Sequence, residues 1–195
     1  MAKVVMLIRH AEKPHGEAPP HGVTADGVVD RGSLTPRGWQ RAGALVGFFV
    51  GAGTDPGSSG LPVPGHLFAS QVEPQGASRR SLQTLQPLAE RLGLEVDTSF
   101  LQEEILQLAQ AISATADVAL VSWEHHLIPP LASALIGERS LVPQVWPDDR
   151  FDVVWVFERD DAGTGFGFRQ VSEQLLAGDS AAPIAAGSPT PPPND

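Results

Sequence analysis

Pairs of basic residues follow three short apolar segments of this sequence. Two guanidinium groups can each grip phosphate oxygens with paired donors, and a neutral imidazole between them is a competent nucleophile at phosphorus. Neighbouring cations lower the pKa of such an imidazole and keep it reactive near pH 7. The pattern therefore predicts a phosphate site in which arginine and histidine supply the positive charge. The pairs are Arg9-His10, Arg79-Arg80 and His125-His126.

These pairs can meet only if the apolar segments are strands of one sheet. The run from Lys3 to Arg9 is almost wholly apolar, as in a strand buried on both faces. Strands alternate with helices, which predicts an α/β fold: a single three-layer domain with a mostly parallel central sheet flanked by helices. Ligands bind at the carboxyl ends of such strands. Further strands are predicted at 66–70, 94–100, 117–123, 151–159 and 166–171, and helices at 35–49, 76–92, 103–114 and 127–136.

The length of 195 residues fits one domain, expected at 1–178. Residues 179–195 are rich in proline, alanine and serine, and this composition predicts a disordered tail because it offers little apolar surface to bury. The last two strands are joined by a turn at 160–163, so the sheet is expected to be mixed at one edge. The loops 13–33 and 51–65 are the expected determinants of specificity.

Composition excludes several kinds of protein. There is no cysteine, so disulfides, thiolate zinc sites and a cysteine nucleophile are ruled out. The net charge of −10 argues against a nucleic-acid partner. No apolar run is long enough for a membrane span, and the N-terminus lacks the apolar region of a secretory signal. The expectation is a soluble cytoplasmic protein without a nucleic-acid or membrane partner.

Four segments, in order, resemble motifs of the histidine phosphatase superfamily, whose fold is like that of phosphoglycerate mutase. LIRHAEKP at 7–14 looks like the Arg-His signature at the end of a strand. LTPRGWQRA at 34–42 is similar to the Leu-Thr-x-x-Gly-x-x-Gln-Ala segment, with Arg41 inserted before the alanine. Residues 69–84 resemble Ser-x-x-x-Arg-Ala-x-x-Thr, with a longer gap and Ser81 in place of alanine, and 118–129 correspond to the strand that delivers a second histidine.

The resemblance implies specific roles for residues of this chain. His10 would be the phosphorylated nucleophile, with Arg9, Arg80 and His125 binding phosphate. His126 remains an alternative to His125 as the second histidine. The general acid would be Glu103. The neighbouring Glu104, or Glu12 two residues after the nucleophile, could take its place. No metal and no cofactor are expected.

The expected activity is hydrolysis of a phosphomonoester, either a small phosphorylated molecule or a phosphoprotein, through phosphohistidine. Three alternatives stay open: a phosphomutase of the same superfamily, a non-catalytic module that binds a phosphorylated ligand, and a metallohydrolase with histidine and carboxylate ligands. The metallohydrolase lacks a spacing that would fix its ligands on one face. Its ligands would come from His10, Glu12, His15, His21, His125 and His126.

Overall fold

The structure is a computed structural model that describes residues 2–51, 57–72, 78–115, 117–137, 142–160, 163 and 165–186. Its centre is a six-stranded sheet. The strands are β1 (Ala2–Arg9), β2 (His66–Ala69), β3 (Val96–Asp97), β4 (Asp117–Trp123), β5 (Val153–Arg159) and β6 (Phe166–Ser172). Their order in the sheet is β3-β2-β4-β1-β5-β6. The first four strands in this order run parallel, whereas β5 and β6 are antiparallel to their neighbours. The mixed edge expected from the sequence is therefore present.

Helices cover both faces of this sheet. They are α1 (Pro36–Phe49), α2 (Arg80–Leu92), α3 (Ile105–Ala114) and α4 (Ile128–Ile136). Successive side chains of β1 point to opposite faces, so Met6 and Ile8 pack into the apolar cluster of α1 and α2, while Val5 and Leu7 pack into that of α3 and α4. The three-layer α/β architecture predicted from the sequence is confirmed. None of the helices within the described residues combines the length and apolar character that crossing a membrane requires.

The third strand and the second helix differ most in extent from the prediction. The strand expected at 94–100 is reduced to Val96–Asp97, which pairs only with β2 at the sheet edge, and the Asp97 side chain accepts a hydrogen bond from the Ser99 backbone N–H that turns the chain away. Helix α2 begins at Arg80. The earlier start expected near residue 76 falls in 73–77, outside the described residues.

Arg41 ties the C-terminal end of the domain to its first helix. Its guanidinium is almost fully buried and contacts the carboxylates of Glu12, Glu173 and Asp179 at 2.7 to 2.9 Å. Burial raises the pKa of Glu173 to about 8 despite the opposing effect of Arg41. One buried cation thus holds three distant segments together, namely the stretch after β1, α1 and the stretch after β6.

Residues 179–186 lie on the domain, so the expectation of a disordered tail from residue 179 onward is wrong for this stretch. Ile184 is 4% exposed and belongs to the same apolar cluster as Trp155. The Gln170 side chain donates to the Ile184 carbonyl at 2.9 Å and accepts from its N–H at 2.8 Å. One buried apolar residue, satisfied backbone groups and the Asp179 ion pair with Arg41 thus hold a segment of otherwise polar and small residues against the domain. Residues 187–195 are outside the described part of the chain.

Replacing Ile184 by alanine should destabilise the whole domain. Removal of a buried isoleucine side chain costs about 2–5 kcal/mol of unfolding free energy, because both transfer energy and packing are lost. The same truncation at the largely exposed Leu106 is the control and should change this free energy by less than about 0.5 kcal/mol. Urea unfolding followed by circular dichroism measures both. Equal stability of the Ile184→Ala variant and wild type would show that 179–186 do not contribute to the fold.

Candidate active site

The parallel pairing of β1 with β4 places the proposed nucleophile. Arg9 is in register with Trp123, and the His10 backbone N–H donates to the Trp123 carbonyl at 3.0 Å, one residue beyond the end of the strand. Because the two strands end at the same edge of the sheet, the residues that follow them meet there. His10 is fully buried at this position.

Both ring nitrogens of His10 face oxygen acceptors. Nδ1 lies 2.8 Å from the Ala11 carbonyl, and Nε2 lies 3.2 Å from Oε2 of Glu124. Burial lowers the pKa of His10, although the Glu124 contact opposes this. A neutral ring has one hydrogen for these two acceptors, so displacement of the Glu124 oxygen by a ligand would leave that hydrogen on Nδ1 and the Nε2 lone pair free.

Arg9 contacts the segment before β5 and carries a buried positive charge. Its Nη1 donates to the Asp148 carbonyl at 2.6 Å and lies 3.3 Å from the Pro147 and Arg150 carbonyls, and the guanidinium stacks 3.9 Å above the Phe151 ring. Burial lowers its pKa to about 10, which still leaves it charged at neutral pH. Its buried Nε–H has no hydrogen-bond partner among the described residues.

Arg80 shares this unusual feature. As the first residue of α2 it donates from Nη2 to the Arg31 carbonyl at 2.6 Å, while its buried Nε–H has no partner among the described residues. Burial lowers its pKa, and the Glu124 carboxylate counteracts this, as it does for Arg9. The neighbouring Arg79 is exposed. Buried donors without acceptors are costly, so two of them around one carboxylate indicate a site built for an anion.

Thr84 fixes the position of α2 relative to His10. Its hydroxyl accepts from the Ala11 backbone N–H at 2.8 Å and donates to the Arg80 carbonyl at 2.7 Å. The residue after His10 and the start of α2 are therefore joined through one buried side chain.

Glu124 is a site residue that the sequence analysis missed. Its carboxylate bridges the two histidines, with Oε2 near His10 and Oε1 at 2.7 Å from Nδ1 of His125. Burial opposes its ionisation, but the hydrogen bond and charge of His10, followed by the charge of Lys13, bring the pKa of Glu124 well below the ordinary value. An ionised carboxylate thus lies among the groups predicted to bind phosphate.

The two adjacent histidines have different surroundings. His125 is buried, and its Nε2 lies 2.5 Å from Oδ1 of Asp148. Burial and the charge of Arg9 lower the pKa of His125. His126 is mostly exposed, with Nδ1 3.6 Å from Oε1 of Glu124. The structure therefore brings His125 rather than His126 into contact with the buried network around His10.

The three candidates for the general acid lie in different places. Glu12 is engaged by Arg41 and Arg37, which makes it part of the structural ion-pair cluster. Glu104 accepts a hydrogen bond from the Leu101 backbone N–H at the start of α3. Glu103 is exposed in the preceding turn.

The turn that carries Glu103 is anchored close to the site. The indole of Trp123, the last residue of β4, donates to the Gln102 carbonyl at 3.1 Å. The Gln71 backbone N–H, just after β2, donates to the Phe100 carbonyl at 2.7 Å. The turn therefore lies at the same edge of the sheet as His10.

The six ligands considered for a metallohydrolase are not gathered in the structure. Glu12 is directed to arginine, and His15 and His21 are exposed in the long loop after β1. Only His10, His125 and His126 lie near one another, and the carboxylate among them is Glu124.

Comparisons with known proteins bear on the fold. No family model and no curated protein matches the sequence. The mycobacterial glucosyl-3-phosphoglycerate phosphatase, solved with VO3, is 13% identical, with a TM-score of 0.50 over 86% of this chain and 97% of that chain. A mutant phosphoserine phosphatase from Entamoeba histolytica, in complex with phosphoserine, is 13% identical, with a TM-score of 0.51 over 90% of this chain and 100% of that chain. These likenesses confirm the predicted α/β fold, which the chain shares with the two phosphatases.

Proposed function

We propose that this protein is a phosphatase that hydrolyses a phosphomonoester, on a small molecule or a phosphoprotein, through a covalent phosphohistidine on His10. The observation that carries this proposal is a pair of buried Nε–H donors that have no partner among the described residues, on two arginines that the fold holds close to His10. Arg9 directly precedes His10, and Arg80 is joined through Thr84 to the residue after it. A carboxylate, Glu124, already stands among these groups as an anion would. A phosphoryl group offers more acceptor oxygens and more negative charge than that carboxylate.

In the first step, phosphate oxygens bind Arg9, Arg80 and His125 and displace Glu124 from His10. The Nε2 lone pair attacks phosphorus, an N–P bond forms, and the P–O bond to the leaving group breaks. In the second step, water attacks the phosphohistidine, the N–P bond breaks, and inorganic phosphate leaves. The guanidinium groups neutralise charge on the phosphoryl oxygens in both steps, so the reaction needs no metal ion.

The leaving oxygen needs a proton, and we assign this to Glu103. In-line displacement puts the leaving oxygen on the side of phosphorus opposite Nε2 of His10. Glu124 is 3.2 Å from Nε2 and so occupies the position of the phosphoryl group itself rather than that of the leaving group. Glu103 is exposed on a turn anchored at this edge of the sheet, where a leaving group can reach it. It would then take a proton from the attacking water in the second step.

The first assays would use small phosphate esters. The two structural neighbours named above are a glucosyl-3-phosphoglycerate phosphatase and a phosphoserine phosphatase, and both names specify small phosphorylated molecules. Release of inorganic phosphate from such esters, and from phosphopeptides, measures the proposed activity and sorts the substrate class.

Arg80→Ala should lower kcat by about 100- to 1000-fold, because a donor that stabilises transition-state charge is removed. Arg79→Ala is the matched control: the same charge is lost one residue away, at an exposed position, and kcat should stay close to the wild-type value. Phosphate release from an aryl phosphate measures both. A larger loss in the Arg79 variant would contradict the assignment of the pocket to Arg80.

Glu103→Gln should slow hydrolysis in a way that depends on the leaving group. For an alkyl phosphate, whose leaving oxygen must be protonated, the loss should be about 100- to 10,000-fold. For nitrophenyl phosphate, whose leaving group is stable as an anion, the loss should be much smaller. Glu124→Gln makes the same change on the nucleophile side and should affect the two substrates equally. If Glu124→Gln rather than Glu103→Gln discriminates between them, the acid is Glu124.

A further inference from the structure

Three potential metal ligands converge at the end of β4. Glu124, His125 and His126 each offer one ligand atom, and these three atoms all lie within 4.8 Å of one another. The two distances to Oε1 are 2.7 Å from His125 and 3.6 Å from His126. Zinc ligands 2.0–2.1 Å from the metal lie about 3.4 Å apart in a tetrahedron, which falls between these two distances.

The orientation of His125 suits a metal ligand. Its Nε2 is 2.5 Å from Oδ1 of Asp148, which can only be a donor contact of the ring to the carboxylate. A histidine that binds a metal usually donates its other ring N–H to a carboxylate or carbonyl, which fixes the ring and makes the remaining nitrogen more basic. Nδ1 of His125, on the other side of the ring, faces Oε1 of Glu124 at 2.7 Å, and a metal ion bound by these two atoms would replace the hydrogen between them.

We propose that Glu124, His125 and His126 form a binding site for zinc or a similar divalent transition metal. Two imidazoles and one carboxylate are ligands that such ions prefer, and three protein ligands leave a fourth tetrahedral position for water. Asp148 supports the site from behind His125. This site differs from the ligand set considered for a metallohydrolase, because Glu124 supplies the carboxylate.

Zinc can reach this site from solvent. A cavity of about 420 Å³ lies beside the two histidines and is bordered on its other side by the segment 144–148. The His126 side chain is 66% exposed, so it is free to turn towards an ion that enters there. The fourth ligand position would face this cavity.

Metal binding would compete with the proposed phosphatase reaction. The ion would engage His125, which is assigned to phosphate, and would hold the Glu124 carboxylate beside His10, where the phosphoryl group must enter. Zinc is therefore expected to inhibit, and a chelator to restore the rate. This effect on rate rests on the proposed function, whereas the binding site itself does not.

The test measures binding directly, by equilibrium dialysis with zinc and by the visible absorption of bound cobalt. Wild type should bind one equivalent, and His126→Ala should bind at least tenfold more weakly. His66→Ala removes an exposed histidine from the start of β2 and is the matched control, with affinity equal to wild type. Asp148→Asn should weaken binding by about 10- to 100-fold.

The outcomes separate the site from the activity. Stoichiometric binding that His126→Ala weakens supports the site, even in a protein with no phosphatase activity. Equal affinity of wild type and His126→Ala, or no binding by wild type, overturns it. If the phosphatase is active, zinc should inhibit wild type and His66→Ala but not His126→Ala, whose rate without zinc should equal that of wild type. Inhibition of His126→Ala at the same zinc concentration would also overturn the proposal.

Discussion

One backbone contact, from the His10 N–H to the Trp123 carbonyl, determines the geometry of the candidate site. It extends the pairing of β1 and β4 by one residue beyond Arg9. As a result, the residue after each strand, His10 on one and Glu124 on the other, lies at the same edge with the two side chains in contact. A shift of one residue in this pairing would turn either side chain to the opposite face of the sheet. The close packing of β1 side chains of different shape against helices on both faces opposes such a shift.

The site concentrates positive charge in a protein whose net charge is −10. Burial of Arg9 and Arg80 is unfavourable and lowers the pKa of both, and the acidic groups around them oppose this lowering. Glu124 acts in this way on both arginines and also contacts His10. The Glu124 carboxylate therefore stabilises the charged arginines when no ligand is bound. In the proposed reaction it must leave His10 when a phosphoryl group binds.

The sequence predicted the framework and the positions that chemistry would use. Alternating strands and helices identified the three-layer fold, because each layer has its own apolar period. The placement of the arginine and histidine pairs after strands predicted that Arg9, His10 and His125 would converge. That prediction needed only the rule that parallel strands end at a common edge.

Features that depend on tertiary contacts could not be predicted in this way. Glu124 precedes a histidine pair and looks like an ordinary solvated charge until the register places it against His10. Glu12 was a candidate acid by its closeness to His10 in sequence, yet the buried Arg41 engages its carboxylate. The composition of 179–186 predicted disorder, yet the stretch is held by the buried Ile184 and by the ion pair of Asp179 with Arg41.

The most direct test of the central claim is the chemical identity of the reaction intermediate. Attack by the imidazole of His10 gives a phosphoramidate, whose P–N bond is cleaved in acid and survives alkali. Rapid quenching with labelled substrate, followed by acid and base stability tests and peptide mapping, should find an acid-labile label on the peptide that contains His10. EDTA should leave the rate unchanged, and His10→Ala should show neither label nor turnover. A fully active preparation with no label on this peptide, or activity lost to EDTA and restored by zinc, would contradict the account.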